Sequence, residues 1–186
     1  MRIIGGAWRR RLLEFPAADG LRPTPDRVRE TVFNWLAPFL PGAICLDLFA
    51  GSGAFGFEAL SRGAARAVLV ENNATAVAAL RANAEKLGAT AAEIVQADAL
   101  IFLEGSVEPF DVIFLDPPYA SSLLAASLRE VAARGWLKPG GFVYLEARAG
   151  EAPELPAGWE AIRSKTAGQV SYHLCRGNQT QEQETA

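Results

Sequence analysis

Asp47-Leu48-Phe49-Ala50-Gly51-Ser52-Gly53-Ala54-Phe55-Gly56 is the stretch that decides the fold of this chain. An apolar run over 43–49 enters a glycine-rich turn, and a helical pattern over 54–62 follows at once, so it reads as strand, tight turn, helix. Glycines 51, 53 and 56 satisfy the spacing of a dinucleotide-binding turn, and Glu71 closes the next apolar run about 20 residues further on, as that fingerprint expects. A glycine turn lets a ligand approach the backbone closely, and a carboxylate ending the second strand can accept hydrogen bonds from both ribose hydroxyls. Both features serve NAD and S-adenosylmethionine equally. Asp47 separates them, because its charge beside the turn would repel a pyrophosphate and welcome a cationic amino-acid moiety.

Outward from this stretch the pattern alternates. Strands are predicted at 66–71, 92–96, 110–115 and 141–147, separated by helices near 73–87 and 121–134. Such alternation means a parallel sheet covered on both faces. Two last runs, 158–163 and 169–176, joined by a short polar link, predict an antiparallel hairpin at one edge. Lys138-Pro139-Gly140-Gly141 reads as a turn into the fifth strand. Upstream, a helix is expected to begin at Thr24, with Pro25 at its first position and Val28, Val32, Trp35, Leu36 and Phe39 at helical spacing, ended by Pro38 and Pro41. Short strands around Gly5-Gly6, at 2–4 and 11–15, precede it. The expected organisation is a basic N-terminal hairpin and link over 1–23, one domain over 24–176, and a disordered polar tail over 177–186. The fold class is α/β: a doubly wound, mostly parallel, seven-stranded Rossmann-like sheet.

Asp116-Pro117-Pro118-Tyr119 follows the apolar run Val112-Ile113-Phe114-Leu115 directly. A buried strand thus delivers a carboxylate, a rigid turn and an aromatic ring to the same sheet edge. That set suits chemistry on the exocyclic amino group of a planar base, a poor nucleophile unless acceptors hold its N–H bonds and aim its lone pair. Asp116 and the Pro117 carbonyl would be the acceptors, with Pro118 stiffening the turn and Tyr119 a face on which an extruded base stacks. The plainer alternative is a Pro-Pro strand end with Tyr119 packing a loop. Asp98, after the third strand, is placed to accept from an adenine amino group, with Ala99 and Leu100 as apolar wall; a helix N-cap is an equal reading.

Length and composition allow one domain with a sizeable core: 186 residues, 50% of them hydrophobic. No apolar run is long enough to span a bilayer, and the expected location is the cytoplasm. Cys45 and Cys175 lie in apolar segments with neither disulfide nor zinc spacing, and no metal is expected. The formal charge of −3 argues mildly against a nucleic-acid partner, but residues 1–36 hold seven arginines against four acids. Arg9, Arg10, Arg11, Arg22, Arg27 and Arg29 with Trp8 among them are what phosphate binding and base stacking would use, and a solvated basic hairpin without a partner is the alternative. Arg163, Lys165 and Gln169 form a second candidate patch. His173, the only histidine, sits in an edge strand without a partner in sequence, which favours a structural role.

Taken in order, residues 46–53, Glu71, Asp98, 116–119 and 137–141 resemble the successive motifs of class I S-adenosylmethionine-dependent methyltransferases. More narrowly, Met1-Arg2-Ile3-Ile4-Gly5-Gly6 through Arg11, the stretch from Arg22-Pro23-Thr24-Pro25-Asp26-Arg27 to Leu36, and Leu60-Ser61-Arg62-Gly63-Ala64 resemble the RsmD family. The resemblance covers about residues 1 to 176 and implies methylation of the 2-amino group of guanine 966 in 16S ribosomal RNA. It implies S-adenosylmethionine along Asp47, Phe49, Ala50, Gly51, Ser52 and Gly53, at Glu71 and Asn72, and at Asp98, Ala99 and Asp116. The implied substrate is an assembled or assembling small subunit; a monomer is expected, since no helical pattern shows a spare apolar stripe beyond what the sheet would bury. An amino-methyltransferase of the same class acting on adenine or cytosine in DNA, or on a protein glutamine, is the alternative; an inactive RNA-binding module or an NAD-dependent oxidoreductase stands further off.

Overall fold

The computed structural model describes residues 1–15, 24–118, 122–151 and 153–178. Its elements run α1 (Asp26–Leu36), β1 (Ile44–Asp47), α2 (Ala54–Ser61), β2 (Arg66–Glu71), α3 (Ala74–Leu87), β3 (Ala92–Gln96), α4 (Ala99–Glu104), β4 (Phe110–Leu115), α5 (Leu123–Arg134), β5 (Leu137–Arg148), β6 (Glu160–Ala167) and β7 (Val170–Arg176). They form one seven-stranded sheet of order β3-β2-β1-β4-β5-β7-β6. Pairing is parallel from β3 through β5 and antiparallel for β7 on β5 and β6 on β7. The expected fold class is the one observed.

From β1 the chain winds outward to β2 and β3, then returns to place β4 on the other side of β1. That reversal opens a crevice at the carboxyl ends of β1 and β4, where open α/β sheets bind ligands. Each sheet face buries its own core. One gathers Val32, Phe33, Phe55, Phe57, Phe114 and Tyr144, the other Leu46, Val68, Ile113, Leu128 and Trp136. Runs such as Val112-Ile113-Phe114-Leu115 are apolar at every position because both faces of β4 are covered.

Four elements depart from expectation. The first helix begins at Asp26, with Pro25 as N-cap and no side-chain cap bond, because the Thr24 hydroxyl turns to the site described below. The predicted turn at 138–141 lies inside β5, where Phe110 pairs with Leu137, the register shifts, and Val112 pairs with Phe142. Gly140 accommodates that irregularity at φ 71°, and its N–H donates to the Asn178 carbonyl. The edge hairpin is longer than read, closing at Ala167 and Val170 across Gly168. The short helix α4 has no counterpart among the predicted ranges, and Asp98 caps it, as its capping reading requires.

At the N-terminus, a single antiparallel bridge joins Arg2 and Leu12 in place of two short strands. Its inner side chains, Ile3 and Leu13, are buried in the same core as α1 and α2. Glu58, fully buried on α2, accepts from the backbone N–H groups of Ile4 and Gly5 at 2.7 and 2.8 Å and from Arg62 Nε at 2.7 Å. The basic turn is thereby fixed to the helix that follows the glycine loop. The predicted link over 16–23 and the tail from 179 onward lie outside the described residues. No helix among the described residues is long and apolar enough to cross a membrane.

Candidate active site

Three parallel strands end in a carboxylate at the same side of the sheet: β1 in Asp47, β2 in Glu71, and β4 one residue later in Asp116. Asp47 is 2% exposed, and its Oδ2 accepts the Gly56 N–H at 2.9 Å. Gly53, the N-cap of α2, has no side chain to offer, so a strand carboxylate serves the first turn of the helix instead. Burial pushes the Asp47 carboxyl up to about 7, against the Gly56 bond, and the charge of Glu71 adds to the rise.

Glu71 spends one oxygen on each neighbouring loop. Its Oε2 accepts from Gly51 N–H and its Oε1 from Asn73 N–H, both at 2.9 Å. The side chain is thus oriented before any ligand arrives, and each oxygen keeps a second lone pair for a ribose hydroxyl. Phe49, Gly51 and Ser52 are half-buried along the loop, Ala50 is buried, and Asn72 is exposed beside Glu71. Gly53 holds φ at 77°, and a Cβ there would come within 2.5 Å of the Phe57 ring, so the turn requires glycine.

Asp98 takes its capping role: Oδ1 accepts from Leu100 and Ile101 N–H at 2.9 and 3.2 Å. The side chain is exposed while Ala99 is buried.

Asp116 is half-buried, followed by a buried Pro117 and an exposed Pro118; Tyr119 lies outside the described residues. Burial and then the charge of Glu146 push its carboxyl up to about 8, opposed by the Thr24 hydroxyl, with Asp47 adding to the rise. Thr24 Oγ1 stands 3.0 Å from Asp116 Oδ2 and 3.0 Å from Glu146 Oε1, and the Tyr144 hydroxyl donates to Glu146 Oε1 at 2.6 Å. Sequence reasoning missed Thr24, Tyr144 and Glu146. A signal was present: Glu146 is an acid in the apolar strand Phe142-Val143-Tyr144-Leu145-Glu146-Ala147, and a buried acid needs partners.

The arginines divide. Arg9, Arg10, Arg11 and Arg27 are exposed, the first three on the turn that Glu58 anchors. Arg22 lies outside the described residues. Arg29 is a correction: its side chain is 0% exposed and bonds Asp26 at 2.6 Å and the Arg2 carbonyl at 3.0 Å, holding the N-terminal strand to α1, and cannot meet a phosphate there. Arg163, Lys165 and Gln169 are exposed on the edge hairpin, with Lys165 Nζ 6.0 Å from the centre of the Trp35 ring. His173 on β7 meets Ser164 across the hairpin at 2.8 Å, and burial lowers its pKa.

The glycine loop and the raised carboxyls of Asp47 and Asp116 thus stand together at the carboxyl ends of β1 and β4. The family model described as "Conserved hypothetical protein 95" matches residues 1–176. The chain is 46% identical over 175 residues to "Ribosomal RNA small subunit methyltransferase D" of Escherichia coli (strain K12), covering 94% of this chain and 88% of that protein. It is 42% identical over 178 residues to the protein of the same name in Haemophilus influenzae (strain ATCC 51907 / DSM 11121 / KW20 / Rd), covering 94% and 92%. Among solved structures, "Putative methyltransferase yhhF from Escherichia coli" superposes with a TM-score of 0.89 at 45% identity, over 96% of this chain and 98% of that one.

Proposed function

This chain belongs to the RsmD family, whose model spans residues 1–176 of it, and from that premise we propose that it methylates small-subunit ribosomal RNA from S-adenosylmethionine. The acceptor is the exocyclic 2-amino group of a guanine, guanine 966 of the 16S molecule. The observation that carries this reading is the row of Asp47, Glu71 and Asp116 at one end of the sheet, around a glycine loop.

When bound, S-adenosylmethionine supplies an activated methyl group together with its own leaving group. The residues around it bind and orient. Asp47 and the loop over 49–53 receive the cationic amino-acid portion, Glu71 and Asn72 the ribose, and Asp98 with Ala99 the adenine. A pyrophosphate cofactor would bring two negative charges beside carboxyls whose pKa values are raised first by burial and then by neighbouring carboxylates, which disfavours the nicotinamide rival. Asp116 and the Pro117 carbonyl accept the N–H bonds of the target amine, and Tyr119 stacks on the extruded base. Arg9, Arg10, Arg11, Arg22 and Arg27 hold phosphates.

The test is transfer of labelled methyl to unmodified small subunits, free small-subunit RNA, DNA and protein. Label in RNA supports the reading, and preference for subunits over free RNA identifies the assembled particle as substrate. Label confined to DNA or protein would replace it with another acceptor of the same class.

A further inference from the structure

A single hydroxyl lies between two carboxyl groups at this site. Thr24 Oγ1 is 3.0 Å from Asp116 Oδ2 and 3.0 Å from Glu146 Oε1. A hydroxyl has one proton to donate, so one of these contacts is a hydrogen bond only if the carboxyl on that side carries a proton and donates it back to Oγ1. With both carboxyls ionised, a carboxylate oxygen would face the hydroxyl oxygen with nothing between them, in a buried place where that is costly. Tyr144 adds a second hydroxyl donor on the Glu146 side. Its hydroxyl donates at 2.6 Å to Glu146 Oε1, the oxygen that Thr24 also approaches. Glu146, 5% exposed, is therefore the anion that accepts from two hydroxyls, and Asp116 is the acid that donates to Thr24. The upward push on Asp116 from burial and from Glu146 outweighs the opposing Thr24 hydroxyl and agrees in direction.

We propose that Thr24 and Glu146 are positioning residues for the transfer, holding Asp116 as a neutral acid and drawing the released proton through the Thr24 hydroxyl onto Glu146. The proposal rests on the methyltransferase reading above. Asp116 Oδ1 takes an N–H of the acceptor amine while Oδ2–H is tied to Thr24, so the carboxyl plane is fixed relative to β4. In the transfer, the amine lone pair forms the N–C bond and the C–S electron pair stays on sulfur. The nitrogen proton passes to Asp116 Oδ1, the Oδ2 proton to Thr24 Oγ1, and the hydroxyl proton to Glu146 Oε1. The sulfonium loses its positive charge as Glu146 loses its negative one, and Asp116 ends as neutral as it began. The opposite charges of donor and Glu146 vanish together, which a low-dielectric site favours.

Among the described residues, these charged and titratable groups surround the pair. Asp47 on β1 acts on Asp116, Glu71 on β2 acts on Asp47, and on the β5 side Tyr144 and, by register, Tyr172 of β7 flank Glu146. Arg29 of α1 is engaged with Asp26 and the Arg2 carbonyl.

The experiment is a carbon-13 titration of the aspartate carboxyls in the full chain, with Asp116→Asn assigning the signal, run beside transfer assays on Glu146→Gln, Thr24→Val and Thr24→Ser. We expect Asp116 to titrate near 8 and its midpoint to fall by at least one pH unit in Glu146→Gln. Thr24→Val should slow transfer at least tenfold with donor affinity within twofold, and Thr24→Ser should restore most of the rate. An Asp116 midpoint in the ordinary carboxylate range, a midpoint unmoved in Glu146→Gln, or a Thr24→Val enzyme as fast as the parent would overturn the proposal. The titration needs no acceptor. A protein that shows the expected midpoints yet methylates no RNA refutes the reaction and not the sharing of the proton.

Discussion

Asp47 Oδ2 accepts the backbone N–H of Gly56 at 2.9 Å, so the last residue of β1 caps the first turn of the helix that follows the glycine loop. One side chain thus sets the shape of the loop and the charge beside it. Because its ordinary value is raised by folding, to about 7, the folded protein holds this proton more tightly than the unfolded chain. Stability contributed by that difference is present at low pH and lost as pH rises from the ordinary carboxylate range towards 7; Asp116, raised to about 8, adds to the same trend. The ligand-free protein should lose on the order of 1 kcal/mol per pH unit for each group between pH 5.5 and 7. Thermal melts across that range, with Asp47→Asn flattening the slope, check the sign. A melting temperature that climbs towards pH 7.5 would contradict it.

The same ionisation should favour a cationic ligand. Affinity for S-adenosylmethionine is expected to rise between pH 6 and 8, and more steeply than affinity for S-adenosylhomocysteine, whose sulfur is neutral. Calorimetry at several pH values reads both. Parallel curves for the two ligands would remove Asp47 from the sulfonium environment.

Gly53→Ala should damage the loop from two directions. The backbone is left-handed there, and the added methyl meets the Phe57 ring at 2.5 Å and Leu80 at 2.7 Å. A loss of about 2 kcal/mol or more in denaturant unfolding is expected. Cofactor affinity should fall at least tenfold as well.

Glu58 tests how the basic turn is held. Replacing it with Ala strands the N–H groups of Ile4 and Gly5 and the half-buried guanidinium of Arg62, at a cost of about 3 kcal/mol. The predicted signature is weaker RNA binding with cofactor affinity retained. Arg9, Arg10 and Arg11 changed together to Ala should weaken RNA binding without that loss of stability and lower the slope of log affinity against log salt by about 2. Arg29→Ala should do the reverse, since that side chain is buried against Asp26 and the Arg2 carbonyl.

What the sequence disclosed follows from how local each signal was. Asp47, Glu71 and Asp116 each end an apolar run, so strand register alone brings them to one edge, and a reader of residues can place them without coordinates. Asp98 showed two roles because a capping carboxylate and an adenine acceptor have the same local signature. Thr24, Tyr144 and Glu146 meet only through tertiary packing, across 92 residues from Thr24 to Asp116 and 122 from Thr24 to Glu146. Arg29 misled for the converse reason: charge clustering along the chain is blind to which face of α1 is buried. The turn read at 138–141 is a bulge, since a Pro-Gly-Gly string signals irregular backbone whether or not the strand ends there.

The central claim is that Asp116 presents a guanine amino group to the methyl donor. Its most direct test is transfer from labelled S-adenosylmethionine to unmodified small ribosomal subunits by the parent protein and by Asp116→Ala, followed by digestion to nucleosides. The account predicts label in 2-methylguanosine, lost in Asp116→Ala while S-adenosylhomocysteine still binds. Label in a methyladenosine or methylcytosine, or undiminished 2-methylguanosine in the variant, would contradict it.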